Sequence, residues 1–325
     1  MYNLRLWQGR LHNETRLITG HEPMNALHAC IIFTIIALGF FCGKKHVFKE
    51  IHVEGFELFL FKVVIPCYLF SAIMNNTFSN LVNINYVYSY LITFVILATI
   101  TTTYLWRTHT ISSLCIRLLA SGYVNTAIYT LPVVTFLLGD PKAAILGNLL
   151  QVIIIQSAFL VLFNCIQHRE GTVFQKILTS FKSPMITLPV TAMILNYYEI
   201  NMDFLSIVAK DLGGGASGMA LFTFGLTLSH VPIKKEHWNK DLLSMLLAKN
   251  ILHPLIAFLV GHYIFCLEKY WLNALVIAAS APTAFVVTLI ARQFAIDTYF
   301  VRIMVALSSM ISLVFLVFIM FFLKT

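Results

Sequence analysis

Apolar residues run in long blocks along this chain, separated by short polar connectors. Residues 26–43 and 299–323 are examples of runs that are apolar almost throughout. A helix crosses the hydrocarbon core of a bilayer with about 20 apolar residues. That ruler predicts about ten spans, near 25–43, 56–74, 86–106, 112–138, 143–166, 174–198, 204–229, 243–267, 271–291 and 299–323. A transmembrane barrel would instead show short segments of alternating hydrophobicity. The pattern therefore predicts an all-α polytopic membrane protein, in which each helix satisfies its own backbone hydrogen bonds.

Composition strengthens this reading: 59% of the 325 residues are hydrophobic and only 11% are charged. So much apolar surface does not fit inside one soluble core, because surface-to-volume scaling leaves too much of it outside. The net charge of +8 does not mark a nucleic-acid partner, since the basic residues are spread over the connectors. Those after the odd-numbered spans carry Lys44, Lys45, Lys49, Arg107, Arg169, Lys234, Lys235, Lys240 and Arg292. Those after the even-numbered spans carry Lys142 and Lys269 with acidic Asp140, Glu199, Asp203 and Glu268. Cytoplasmic loops are enriched in Lys and Arg, so the odd connectors are expected inside and both termini outside. The segment 1–23 disagrees, because it places Arg5, Arg10 and Arg16 outside and lacks the apolar core of a signal peptide. The expectation is that translation starts at Met24; peptides from 1–16 in the mature protein would overturn it. Six scattered cysteines without a CxxC pair read as small buried hydrophobes rather than a metal or disulfide framework, and no cofactor motif is present.

Two halves of similar layout follow the extension 1–23: a first five-helix repeat over 24–166 and a second over 184–325, joined by a connector at 167–183. In each half the second and fourth spans carry helix breakers: Pro66 and the 125–132 stretch, then 213–218 (with Gly218) and the 281–283 stretch. Five spans per half imply that the halves are inverted relative to each other. Paired interrupted helices in inverted repeats are a signature of secondary transporters, with substrate bound near the midplane.

The candidate chemistry sits at those breaks. In the fourth span Asn125, Thr126, Thr130 and Pro132 put polar groups and freed backbone where a substrate can meet them. The alternative for such residues is interhelical hydrogen bonding. The ninth span repeats the device with Pro282 and Thr283; crossed half-helices would aim two positive ends at one spot, which suits a carboxylate. Gln151 and Gln156 of the fifth span face either substrate or neighbouring helices. Lys62 is read as snorkelling to the cytoplasmic side, and His253 as a neutral, hydrogen-bonded group near the interface. All fourteen acidic residues fall in connectors or near span ends, with Asp211 deepest. That argues against cation transport, which needs a buried carboxylate, and leaves room for an anion.

At these motifs the chain resembles the auxin efflux carrier family, which includes plant auxin carriers and bacterial malate and malonate permeases. Asn125-Thr126 with Leu131-Pro132 looks like the family's Asn-Thr…Ile-Pro segment, and Gln151…Gln156 like its Gln…Gln segment. The stretch 218–226 and Ala281-Pro282-Thr283 with the 291–294 exit resemble its seventh and ninth spans. The resemblance implies two inverted five-helix repeats, a scaffold and a mobile transport body, and a crossover of the fourth and ninth helices. It implies that Asn125 binds a substrate carboxylate, that Thr126, Gln151 and Thr283 surround it, and that Pro132, Pro282 and Gly218 mark breaks. Homodimers in a bacterial inner membrane are a further implication. Val124 stands where plant members have proline, Thr130 where the family has glycine, and the long plant cytoplasmic loop is absent. The expected function is alternating-access transport of small organic anions such as malate or malonate. The alternatives are a sodium-coupled symporter of the bile-acid carrier type and a non-transporting membrane sensor; an enzyme is the least supported class.

Overall fold

A computed structural model describes residues 24–167, 184–230 and 240–322. The extension 1–23, nearly all of the 167–183 connector, the start of the sixth span, and Arg169, Lys234 and Lys235 lie outside the described residues. Among the described residues every regular element is helical. In chain order α1 is Met24–Lys44, α2 Ile51–Met74, α3 Ile84–Leu105 and α4 Ile111–Gly122. Next come α5 Thr126–Leu138 and α6 Lys142–Ile166, α7 Pro184–Tyr197, α8 Asp203–Gly213 and α9 Ala216–Ser229. The last are α10 Lys240–Ile264, α11 Lys269–Ser280, α12 Phe285–Phe294 and α13 Thr298–Phe322.

Among the described residues five helices are long and apolar enough to cross a membrane: Ile51–Met74, Phe78–Leu105, Lys142–Ile166, Lys240–Ile264 and Thr298–Ile319. The other apolar helices are shorter, mainly because the chain interrupts the expected fourth, seventh and ninth spans. The fourth opens between α4 and α5, the seventh at Gly214 and Gly215, and the ninth between α11 and α12.

Prolines act differently from the breaks expected of them. Pro66, Pro132 and Pro254 each follow, two residues on, a turn widened to i→i+5 pairing: Leu60–Val64, Thr126–Thr130 and Ala248–Leu252. A proline ring crowds the carbonyl of the preceding turn and offers no N–H to it. Widening that turn removes the clash while the helix continues. Pro132 therefore sits just inside a helix, and the chain opens at 123–125 instead. Gly218 likewise lies within α9, past the interruption.

Packing between α1 and α9 is set by missing side chains. A Cβ at Gly39 would stand 2.0 Å from the Phe222 carbonyl oxygen, and one at Gly225 2.0 Å from that of Ile36. Close backbone approach through small residues is how helices gain dispersion energy in lipid, where burial of apolar surface gives no driving force. α7 and α8 pack on α2, and Gly213 lets α8 approach the Tyr68 backbone, whose nitrogen would be 2.5 Å from a Cβ there.

A charged cluster ties one end of the bundle. Arg117 of α4 donates to Asp241 through Nε at 3.0 Å and Nη2 at 2.9 Å, and also pairs with Asp297 in the α12–α13 connector. Its guanidinium lies 4.2 Å from the Phe300 ring centroid. Partial burial pushes the Asp297 carboxyl up, but hydrogen bonds from Ser113 and Arg117 and the Arg117 charge outweigh this and hold it below the usual carboxylate value.

The α1–α9 contact gives a direct expectation. Gly39→Ala should lower the thermal midpoint in detergent, by the equivalent of about 1–3 kcal/mol typical of overpacking. Gly55→Ala, where nothing stands within 4 Å of the new Cβ, should not lower it. Equal midpoints for the two variants would show that the close approach does not matter.

Candidate functional site

The interrupted fourth and ninth spans cross in the middle of the molecule. Between α4 and α5, and again between α11 and α12, the backbone is extended, and Val124 pairs with Thr283 as an antiparallel bridge. The Asn125 N–H donates to the Pro282 carbonyl at 2.7 Å, and the Ala284 N–H to that of Tyr123 at 3.1 Å. Open backbone inside a bundle leaves donors and acceptors that must be paired, and each extended segment supplies partners for the other. Thr283 closes the rear: its hydroxyl donates to Ala120 O at 2.6 Å and its N–H to Ser308 Oγ at 3.1 Å.

Gln151 of α6 completes the pairing. Its Nε2 donates to Val124 O at 2.7 Å and its Oε1 accepts from Val124 N at 3.0 Å. The side-chain amide thus acts as a third strand beside the crossing. Oε1 also accepts from the Tyr90 hydroxyl at 3.0 Å, and Nε2 donates to Thr126 Oγ1 at 3.3 Å. With two donors and two lone pairs used, the Gln151 amide has no capacity left. Gln156 is held too, accepting from the Tyr123 hydroxyl.

In front of the crossing lies a cavity of about 750 Å³. It extends from Asn125, Thr126, Asn148 and Gln151 to Glu54, Glu57, Lys62, Pro184 and Arg292, with walls that include Phe61, Met185, Phe285 and Leu289. Of the residues expected to meet substrate, Asn125, Thr126 and Gln151 line it, whereas Pro282 and Thr283 are not among its lining residues.

Two amides at the floor have capacity to spare. Asn125 caps α5, its Oδ1 accepting from Ile128 N at 3.2 Å; its Nδ2 has no partner among the described residues. Asn148 Oδ1 accepts from Thr126 Oγ1 at 2.7 Å, and its Nδ2 is buried without a partner. A buried unpaired donor costs about 1–3 kcal/mol.

Sequence reasoning passed over three of these groups. Asn148 was masked by the more conspicuous glutamines of its span. Glu57 appeared to lie near a span end, yet it is buried to 5% exposure. Lys249 in α10 is fully buried; a lysine inside an apolar span was itself the signal. Its Nζ donates to Ala279 O at 2.8 Å and lies 3.4 Å from His253 Nδ1. Ala279 is in the last turn of α11, where carbonyls are unpaired and the helix dipole favours a cation. His253 is buried inside the protein, and Lys62 is among the residues that line the cavity.

Residues 28–320 match the family described as "Membrane transport protein". No curated protein matches the chain.

The role of Gln151 can be tested without a substrate. Gln151→Leu leaves the Val124 N–H and carbonyl without this partner, at about 1–3 kcal/mol for each group left unpaired. The variant should lose thermal stability in detergent, whereas a side chain that only touched substrate would leave stability unchanged.

Proposed function

Since the chain belongs to the membrane transport protein family, of the auxin efflux carrier type, we propose that it is a secondary carrier of small organic anions such as malate or malonate, working by alternating access. The observation that carries this reading is the cavity floor, where Asn125 and Asn148 present unused amide donors beside the crossing. A carboxylate accepts such bonds and also benefits from the positive N-terminal ends of α5 and α12, which start at the crossing. Lys62 and Arg292 near the mouth favour entry of an anion. Substrate binding falls to Asn125, Asn148 and Thr126; Gln151, Pro282 and Thr283 hold the crossing in place.

The architecture proposed for this cycle is two inverted five-helix repeats in a multi-pass protein of the bacterial inner membrane, with both termini outside, assembled as a homodimer. The pairing of α1 with α9 and of α2 with α7 supports an exchange of equivalent contacts between the halves. The basic connectors then place the cavity mouth on the cytoplasmic side.

The test is uptake of labelled malate, malonate, succinate and indole-acetate into proteoliposomes, with and without sodium. Saturable uptake of one acid without sodium is expected. Asn125→Ala should reduce kcat/KM by about tenfold or more, the equivalent of one hydrogen bond to a charged group. Asn148→Ala should raise KM while leaving the protein properly inserted. Wild-type activity in both variants would remove the cavity floor as the binding site. Ligand binding without any flux would favour a sensor.

A further inference from the structure

Glu57 is the one buried carboxylate among the described residues, and no step above uses it. It lies in α2, two turns from the helix start. Its Oε1 accepts a hydrogen bond from the Thr227 hydroxyl of α9 at 2.9 Å. Among the described residues it has no ion-pair partner within 4.0 Å. It lines the central cavity and also a second cavity of about 160 Å³, beyond it, between α2 and α9 on one side and α12 and α13 on the other. Glu54, Glu57, Phe285 and Arg292 line both spaces, and Glu57 is the buried carboxylate among them.

The charged and titratable groups facing Glu57 are few. Glu54 lies one turn away on the same helix; His230 of the α9 end, Arg292 of α12, and Tyr299 and Arg302 of α13 line the same small cavity, and Lys62, Tyr123 and again Arg292 line the central one. A carboxylate withdrawn from water without a bonded cation is costly in its charged form. An anion entering the central cavity adds like-charge repulsion. Taking up one proton relieves both costs, so anion and proton bind together more readily than either does alone. By linkage, each raises the affinity for the other by the same factor.

We propose that Glu57 is the proton-coupling site of this protein, and that one proton travels on its carboxylate with each anion. The step is a simple protonation: the proton adds to the Glu57 carboxylate on one side of the membrane and leaves it on the other, and no other bond changes. This inference rests on the anion-carrier reading and supplies its driving ion. It also revises the expectation, drawn from the spacing of acidic residues, that no buried carboxylate is available for a cation.

The experiment uses proteoliposomes of the full chain and the same four acids, with potassium and valinomycin clamping the membrane potential at zero and protein-free vesicles as the blank. A pH dye inside reports proton movement. With the outside one pH unit more acidic, wild type should accumulate the transported acid about tenfold, because each unit of gradient is worth a factor of ten per proton, and anion entry should acidify the interior. Glu57→Gln should still exchange labelled for unlabelled acid but equilibrate at a ratio near one whatever the gradient. Accumulation by Glu57→Gln equal to wild type would overturn the proposal. So would wild-type anion entry without acidification, a readout that needs no variant to fold. Both results leave the carrier standing. An absence of flux for every acid in wild type would overturn the carrier reading itself, and this inference with it.

Discussion

The structure depends on one backbone pairing, that of Val124 with Thr283. Two spans open in the middle of an apolar bundle, where no water is at hand to satisfy free peptide groups. Each open segment is stable only because the other lies against it, through Asn125 N–H to Pro282 O and Ala284 N–H to Tyr123 O. Gln151 then brackets Val124 from the third side. Without this mutual satisfaction, several buried groups would each cost about 1–3 kcal/mol, and continuous helices would be preferred. The crossing in turn ends four half-helices at one depth, and so gathers the positive ends of α5 and α12 at the floor of the cavity.

Polar residues around the crossing divide by whether their bonding capacity is used. Gln151, Gln156 and Thr283 are engaged with backbone or neighbouring hydroxyls, so they fix geometry. Asn125 and Asn148 keep donors unpaired beside the cavity, so bonding capacity remains there. Lys249 belongs to the first group: its Nζ donates to Ala279 O, behind the crossing. The same distinction separates the groups that hold the crossing from those with capacity to spare, although the residue types are alike.

Much of this was legible in the chain alone. The long apolar blocks determined that the protein is helical and lies in a membrane, because only helices satisfy their own backbone in lipid. The polar stretch at 125–126 and the 281–283 stretch located the two openings to within a few residues, since polar groups and a proline inside an apolar span need a reason. The glycines at 213–215 marked a third interruption. Lys249 was legible too, had intramembrane charge been weighed residue by residue.

Other features were decided by tertiary structure. Whether a proline breaks a helix or merely widens the turn before it depends on what packs around that turn, so Pro132 could not be told from a break by its position. Which side-chain amides are satisfied depends on which backbone lies within 3 Å of them, and Gln151 and Asn148 differ only in that. Glu57 sits near the start of its helix, where sequence reads an exposed carboxylate; it is buried because α9 brings Thr227 against it. The sequence determined the solvent, the element type and the places where the chain opens, because these follow from local polarity and backbone hydrogen bonding. Only the tertiary structure decided which groups at those openings remain free to act, because that depends on partners distant in the chain.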